Sequence, residues 1–308
     1  MNQHQVAERA GGDVVSMLTR VRAGHRSAPP APEPGTTIAH SIEATRAPSW
    51  MALRFGAPPE EGETWVGCAR ALADPGFFPS WQARLGDWLR ERFGESPDRT
   101  TSGYLMSWYL HAPGFLAGML FHTARRVPHL RPADLAFRLA DSRPHVDGVA
   151  LLSEGFACLP DDPAAGTARA TVVADERALA ALLRARFVDH AARFVTAFAP
   201  HTRLGRRTLW AAATDVLDTA LWNAGRLGGD EGAGVGDASL VLGCSDTDPL
   251  TSGSTLYSVT GEDNGQHWTR RRQSCCFHYA LPGVERACVT CPRVSDAERA
   301  DRVRRGGD

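Results

Sequence analysis

Four of the seven cysteines lie within seventeen residues near the end of the chain: Cys275, Cys276, Cys288 and Cys291. Thiolates are soft ligands, and four gathered at this density suit a soft or borderline metal. Cys288 and Cys291 form a C-x-x-C, a turn that aims two sulfurs at one point. Cys275 and Cys276 are adjacent, which is rarer, and neighbours on a flat strand point to opposite faces. The pattern therefore departs from the paired C-x-x-C knuckles of ordinary zinc sites. Residue types alone leave open a structural Cys₄ zinc, a strained vicinal disulfide and an iron–sulfur cluster held by four thiolates. A [2Fe-2S] cluster needs two sulfurs on each iron. Cys288 and Cys291 can serve one iron, and Cys275 and Cys276 the other if the backbone bends between them. The spacing also admits a [4Fe-4S] cluster.

The surroundings of the cysteines carry further chemistry. Arg270, Arg271 and Arg272 precede the first pair; they can offset the charge of an anionic centre or attract an anionic partner, or be a solvated basic turn. His278, inside the loop, can donate a hydrogen bond or couple an electron to a proton. His190 and His201 read as structural or surface histidines. Trp210, Trp222 and Trp268 read as core or cleft walls, Trp268 being the one near the cysteines. Cys68, Cys158 and Cys244 are scattered and read as small buried apolar residues.

Composition removes other chemistries. The chain has 308 residues and a formal net charge of −1, with 43% hydrophobic residues. All 34 basic residues are arginines. Without lysine there is no P-loop, Schiff-base or pyridoxal-phosphate chemistry. No basic excess points to nucleic acid. The N-terminus has no apolar leader, and the longest apolar stretch, Phe115–Phe121, is too short to span a bilayer. The expectation is a cytoplasmic protein with reduced thiols and no transmembrane segment.

The elements that must position the cysteines come next. Asp13–Val21 is weakly amphipathic and leads into Ser27–Gly35, whose four prolines predict an extended linker. Helices are predicted over Thr64–Leu72, Pro79–Phe93 and Ser102–Arg126, the last kinked or split at Pro113-Gly114. Short strands are predicted over 146–152, 155–159 and 168–173. Helical periodicity returns over Asp175–Phe198 and Gly205–Leu227. The glycine-rich run 228–236 reads as a flexible hinge, since it follows a helix and lacks the strand a dinucleotide loop requires. From 239 onward periodicity is lost, predicting loops and short strands around the cysteines. The fold class expected is α+β, predominantly helical: a helical body, a small sheet and a Cys-rich C-terminal segment.

The run Arg271-Arg272, Cys275-Cys276, Tyr279-x-Leu281-Pro282 and Cys288-x-x-Cys291-Pro292 resembles the C-terminal motif of the FhuF-like ferric siderophore reductase family. The spacer between the pairs, residues 277 to 287, is one residue longer here than in the family. The strongest similarity covers about 270–293, with a looser one around His201, Arg203 and Trp210. The resemblance implies a [2Fe-2S] cluster on Cys275, Cys276, Cys288 and Cys291, and one-electron reduction of a ferric siderophore. Electrons would come from an external ferredoxin or flavin-dependent reductase, as no nucleotide fingerprint is present. The implied organisation is a disordered segment over 1–47, a siderophore-interacting body over 48–238 and an iron–sulfur segment over 239–308. The chelate is expected in a cleft between the last segment and the helices of 175–227, with Arg203, Arg206 and Arg207 as candidates for charge complementarity. Readings from other classes are a non-enzymatic binding protein stapled by zinc and an electron shuttle or redox sensor.

Overall fold

A computed structural model describes residues 37–58, 65–243 and 249–306. The predicted amphipathic stretch Asp13–Val21, the proline-rich linker and Cys244 lie outside the described residues. Among those described there are eight α-helices and nine short strands, in keeping with a predominantly helical α+β fold. No helix is long and apolar enough to cross a membrane.

The organising element is α4 (Asp98–Ala124), a helix buried on nearly every side. A helix apolar all round must be enclosed by others. It packs on α3 (Phe77–Phe93), α5 (Glu176–Phe198) and α6 (Arg206–Gly228). The helix is not split at Pro113 but runs through it. Beside it, Gly114 lets α6 approach: a Cβ there would lie 2.7 Å from Val216 Cγ1. Aromatic rings fill the α3–α4–α5 interface, with Tyr109 stacked on Phe194 at 4.6 Å. His190 is buried there; its Nδ1–H donates to the Leu130 carbonyl (2.7 Å) and its Nε2 accepts from the Tyr109 hydroxyl (3.1 Å). Burial pushes its pKa down to about 4, so it is a neutral structural histidine.

The sheet region is larger than the sequence predicts. β5 (Val146–Leu151) is central in a four-stranded sheet of order β1-β5-β4-β2, with β1 (Ala52–Phe55) parallel to it and β4 (Leu135–Leu139) antiparallel. β2 (Trp65–Gly67) takes the far edge and leads directly into α2 (Cys68–Ala73), so the helix expected from Thr64 begins at Cys68. A second sheet joins β3 (Val127–Pro128), β6 (Phe156–Cys158) and β7 (Ala170–Val172). α1 (Ile38–Ala44) buries Ile38 and Ile42 in the core, ahead of residue 48 where the folded body was expected to begin. Arg126, fully buried, ties it in by donating to the Thr37 carbonyl and Ser41 Oγ (both 3.0 Å) while pairing with Asp162.

The glycine run is a helix and not a hinge. α7 (Glu231–Leu242) starts at Asp230, whose carboxylate accepts from the Ala233 N–H at 2.9 Å, and Glu231 adds favourable charge at the first turn. Its glycines serve close approach: a Cβ on Gly225 of α6 would sit 2.6 Å from Gly234 Cα, and one on Gly234 2.7 Å from the Leu221 carbonyl. The C-terminal region contains a hairpin of β8 (Leu256–Thr260) and β9 (Gln266–Arg270), as loosely expected, and then α8 (Asp296–Arg304), which was not. The helix contact generates a prediction: Gly225→Ala lowers stability by about 2 kcal/mol through overpacking against a backbone that cannot yield. A urea or thermal melt unchanged from wild type would show that α6 and α7 are not in close contact.

Candidate metal centre

The segment from Arg270 to Val294 is built outward from β9. Arg270, at the end of that strand, turns inward: its Nη1 donates to the Asp215 backbone carbonyl (2.8 Å) and reaches the Asp218 carboxylate (3.4 Å). Both acids lie on α6 and are almost fully buried. Asp215 accepts from the N–H of Gln273 (2.8 Å), the N–H of Ser274 (2.7 Å) and the Ser274 hydroxyl (2.6 Å). Asp218 accepts from Ser254 Oγ (2.7 Å) and the N–H and hydroxyl of Thr255. One turn of α6 therefore grips both the start of the hairpin and the residue before Cys275. Burial raises the Asp215 pKa; Arg270 and the three donors work the other way.

Past Ser274 the backbone bends. Phe277 adopts a left-handed conformation (φ 58°) and its N–H points at Cys275 Sγ (3.3 Å). For a bulky L-residue this conformation is strained. It is held because Thr100 Oγ1 of α4 donates to the Phe277 carbonyl (3.3 Å). Gly103 of α4 lies beneath; a Cβ there would meet Cys276 Cα and carbonyl at 3.0 Å. The C-x-x-C arm is pinned from the other side. Cys291 N–H donates to the Cys288 carbonyl (2.9 Å), and Arg272 N–H to the Thr290 carbonyl (2.9 Å). The fully buried Arg299 of α8 donates to the carbonyls of Val289 (3.0 Å), Cys291 and Val294 (both 2.9 Å), and Arg302 to that of Ala287 (2.7 Å).

The result brings all four sequence-predicted cysteines together, but in crossed pairs. Cys275 Sγ and Cys291 Sγ are 3.8 Å apart. Two thiolates sharing a tetrahedral metal at a metal–sulfur distance of about 2.3 Å lie about 3.8 Å apart. Cys276 and Cys288 are linked through Arg272, whose Nη2 is 3.7 Å from Cys276 Sγ and 3.0 Å from Cys288 Sγ. Arg272 Nε is buried with no partner. Burial works against the charge of this guanidinium, yet the facing sulfurs of Cys276 and Cys288 hold its pKa above the usual range. Among the described residues no three ligand-type side chains converge on a single ion, so the thiols stand as pairs and not as one tetrahedron. Burial, with mutual repulsion, pushes the Cys275 thiol up to about 11, and burial also raises Cys288 despite Arg272 beside it. Such thiols lose their protons on binding a metal. The donor set thus fits a two-metal, four-thiolate group with a cation on its outer side.

The three arginines have separate roles. Arg270 is structural and Arg272 faces the sulfurs, while Arg271 is exposed, near the Pro292 carbonyl (3.2 Å) and Asp296 (3.9 Å). His278 hydrogen-bonds through Nδ1 to the Tyr104 hydroxyl of α4. Trp268 sits on β9 opposite Ser258, and Trp222 donates to Glu231 (2.7 Å) at the α6–α7 junction. The cavity that His201 and Arg203 line is not the cleft expected between the cysteine segment and α5 and α6. The cysteine segment packs directly on α6 and α4, and the cavity, of about 500 Å³, is bounded by α3 and the start of α4. Arg206 and Arg207 are exposed and do not line it. Sequence reasoning missed Asp215, Asp218, Tyr104 and Arg299. The visible sign was a pair of acids at i, i+3 in the apolar run of α6.

Asp215→Ala leaves two backbone N–H groups and the Ser274 hydroxyl without their buried acceptor. It should cost about 3 kcal/mol by urea melt and reduce the metal bound per chain while preserving the far-UV circular dichroism of the body. Full metal loading in that variant would show that α6 does not organise the loop.

The family model described as FhuF 2Fe-2S C-terminal domain matches residues 272–293, a span that holds Arg272 and all four cysteines. No curated protein and no solved structure matches the chain. The match names the group that the paired thiols suit: residues 272–293 are similar to the FhuF 2Fe-2S C-terminal domain, and the cofactor of this chain is a [2Fe-2S] cluster.

Proposed function

We propose that this protein is a ferric siderophore reductase that frees iron by adding one electron to the chelated Fe³⁺. The observation that carries the reading is the paired thiols, 3.8 Å apart at Cys275 and Cys291 and bridged by Arg272 at Cys276 and Cys288, within the segment that matches an iron–sulfur domain. Cys275 and Cys291 would hold one iron, and Cys276 and Cys288 the other. A [2Fe-2S] cluster supplies single electrons at a potential set by its charge, its hydrogen bonds and its exposure. Arg272 donates to the outer sulfurs and raises that potential. Asp215, Arg299 and the Gly103 contact keep the two arms of the loop in place.

The substrate needs no nucleophile or acid–base pair. Hard oxygen donors grip Fe³⁺ and hold the softer, less charged Fe²⁺ more weakly, so one electron loosens the chelate. Under this reading the electrons come from a ferredoxin or a flavin-dependent reductase, in keeping with a sequence that carries no flavin or nicotinamide fingerprint. Free thiols of this kind persist in a reducing compartment, which fits a cytoplasmic site of action.

Protein purified without oxygen should be coloured and hold about two irons and about two acid-labile sulfides per chain, with Fe²⁺ trapped by a ferrous-specific dye when the reduced protein meets a ferric siderophore. Colourless protein with one equivalent of zinc would overturn the reading, and a cluster that reduces no ferric chelate would leave a shuttle or sensor. The crossed ligation has its own check. Single serine replacements should fall into two groups by electron paramagnetic resonance of the reduced state, Cys275 with Cys291 and Cys276 with Cys288. Grouping of Cys275 with Cys276 would return the ligands to sequence neighbours.

A further inference from the structure

A second, small apolar cluster adjoins the cysteine loop, separate from the main core. Leu85 and Leu89 of α3, Tyr104 of α4 and Leu281 form its centre, and Cys276 packs against it. Its outer surface is aromatic. Trp88 and Trp108, one from each helix, are each only half-buried. Between them stands Arg143, from the turn joining β4 to β5, with its guanidinium carbon 5.3 Å from the Trp88 ring and 5.0 Å from the Trp108 ring. That turn is fixed to α3 by Trp81 Nε1, which donates to the Pro144 carbonyl at 2.6 Å. Arg143 is exposed, and no carboxylate or hydrogen-bond acceptor pairs with it among the described residues. Two carboxylates on the neighbouring elements are engaged elsewhere, Asp87 with Arg90 and Asp147 with Arg138.

An exposed arginine standing between two indoles keeps its charge and has N–H donors to offer a ligand. Such a group recognises an anion bearing planar aromatic donors, through charge-assisted hydrogen bonds and ring stacking together. The rings continue inward to the loop: Trp108 is 5.1 Å from Tyr104, and Tyr104 hydrogen-bonds to His278, two residues from Cys276. Cys276 packs against the same cluster, so this surface borders the cysteine loop.

We propose that Trp88, Trp108 and Arg143 form the docking site for the ferric chelate, and that it selects anionic chelates with aryl donor groups over neutral ones. The proposal rests on the reductase reading and names the substrate class for it. A ferric tris-catecholate is anionic and aromatic, whereas a ferric tris-hydroxamate is neutral.

The test is calorimetric titration of the full-length, cluster-loaded protein with gallium(III) complexes, which share the charge of the ferric ones and are not reduced. The tris-catecholate complex should bind about tenfold tighter than the tris-hydroxamate complex, and Arg143→Gln should remove that difference. The visible spectrum reports whether the cluster is intact in the variant. In the unaltered protein, raising the salt concentration should weaken the anionic complex and leave the neutral one unchanged. Equal affinities, or an Arg143→Gln protein that keeps the preference, would overturn the docking site. Release of Fe²⁺ from ferric chelates without regard to charge would do the same while leaving the reductase reading standing. Failure to release iron from any chelate would remove that reading instead.

Discussion

The geometry of the cysteine loop depends on one buried carboxylate. Asp215 lies within α6 and accepts three hydrogen bonds from residues immediately before Cys275. Burying a carboxylate is costly, and the cost is tolerable only where donors and a cation surround it. Here the donors are backbone groups of the loop itself, so satisfying the acid and shaping the loop are the same event. Arg270 closes the arrangement by spanning Asp215 and Asp218 from the strand end. The first cysteine pair thus inherits its position from the helix that packs most closely on α4.

The second pair is held by a different device with the same chemistry. Arg299 places one guanidinium among three backbone carbonyls of the C-x-x-C turn. A guanidinium can satisfy several acceptors in one plane, which an ammonium on a flexible stem does less well. In a chain whose basic residues are all arginine, this resource recurs at the buried Arg126, which donates to the Thr37 carbonyl, and the buried Arg184, which donates to the Val241 and Leu242 carbonyls of α7. The loop therefore rests between α6 on one side and α8 on the other, with α4 beneath.

Much of this was legible before the structure. The cysteine spacing, the long amphipathic helices and the strands near 146–173 follow from residue type and period. What was not legible follows physical lines. The strands at 52–55, 65–67 and 135–139 are too short for alternation to emerge, and β4 is covered on both faces. The glycines of α7 looked like freedom and instead permit contact with α6, a distinction made only by Gly225 on the partner helix. α8 has almost no apolar face, yet Ser295 and Glu298 form a capping pair that marks its start. The crossed pairing of the thiols was beyond reach of spacing, because it depends on how the two arms of the loop fold onto each other. The setting of Trp88 and Trp108 was not legible either, because Arg143 reaches them from a distant turn.

The close seat of Cys276 on Gly103 has a consequence for electron exchange. The backbone of the loop touches the most enclosed helix of the protein with no side chain between them. Atoms so confined shift little when a neighbouring charge changes, and a preorganised environment needs little rearrangement at the moment of transfer. Under the reductase reading, the inner-sphere and protein contributions to reorganisation energy are small, so the speed of the step is governed by driving force and separation rather than by motion of the polypeptide.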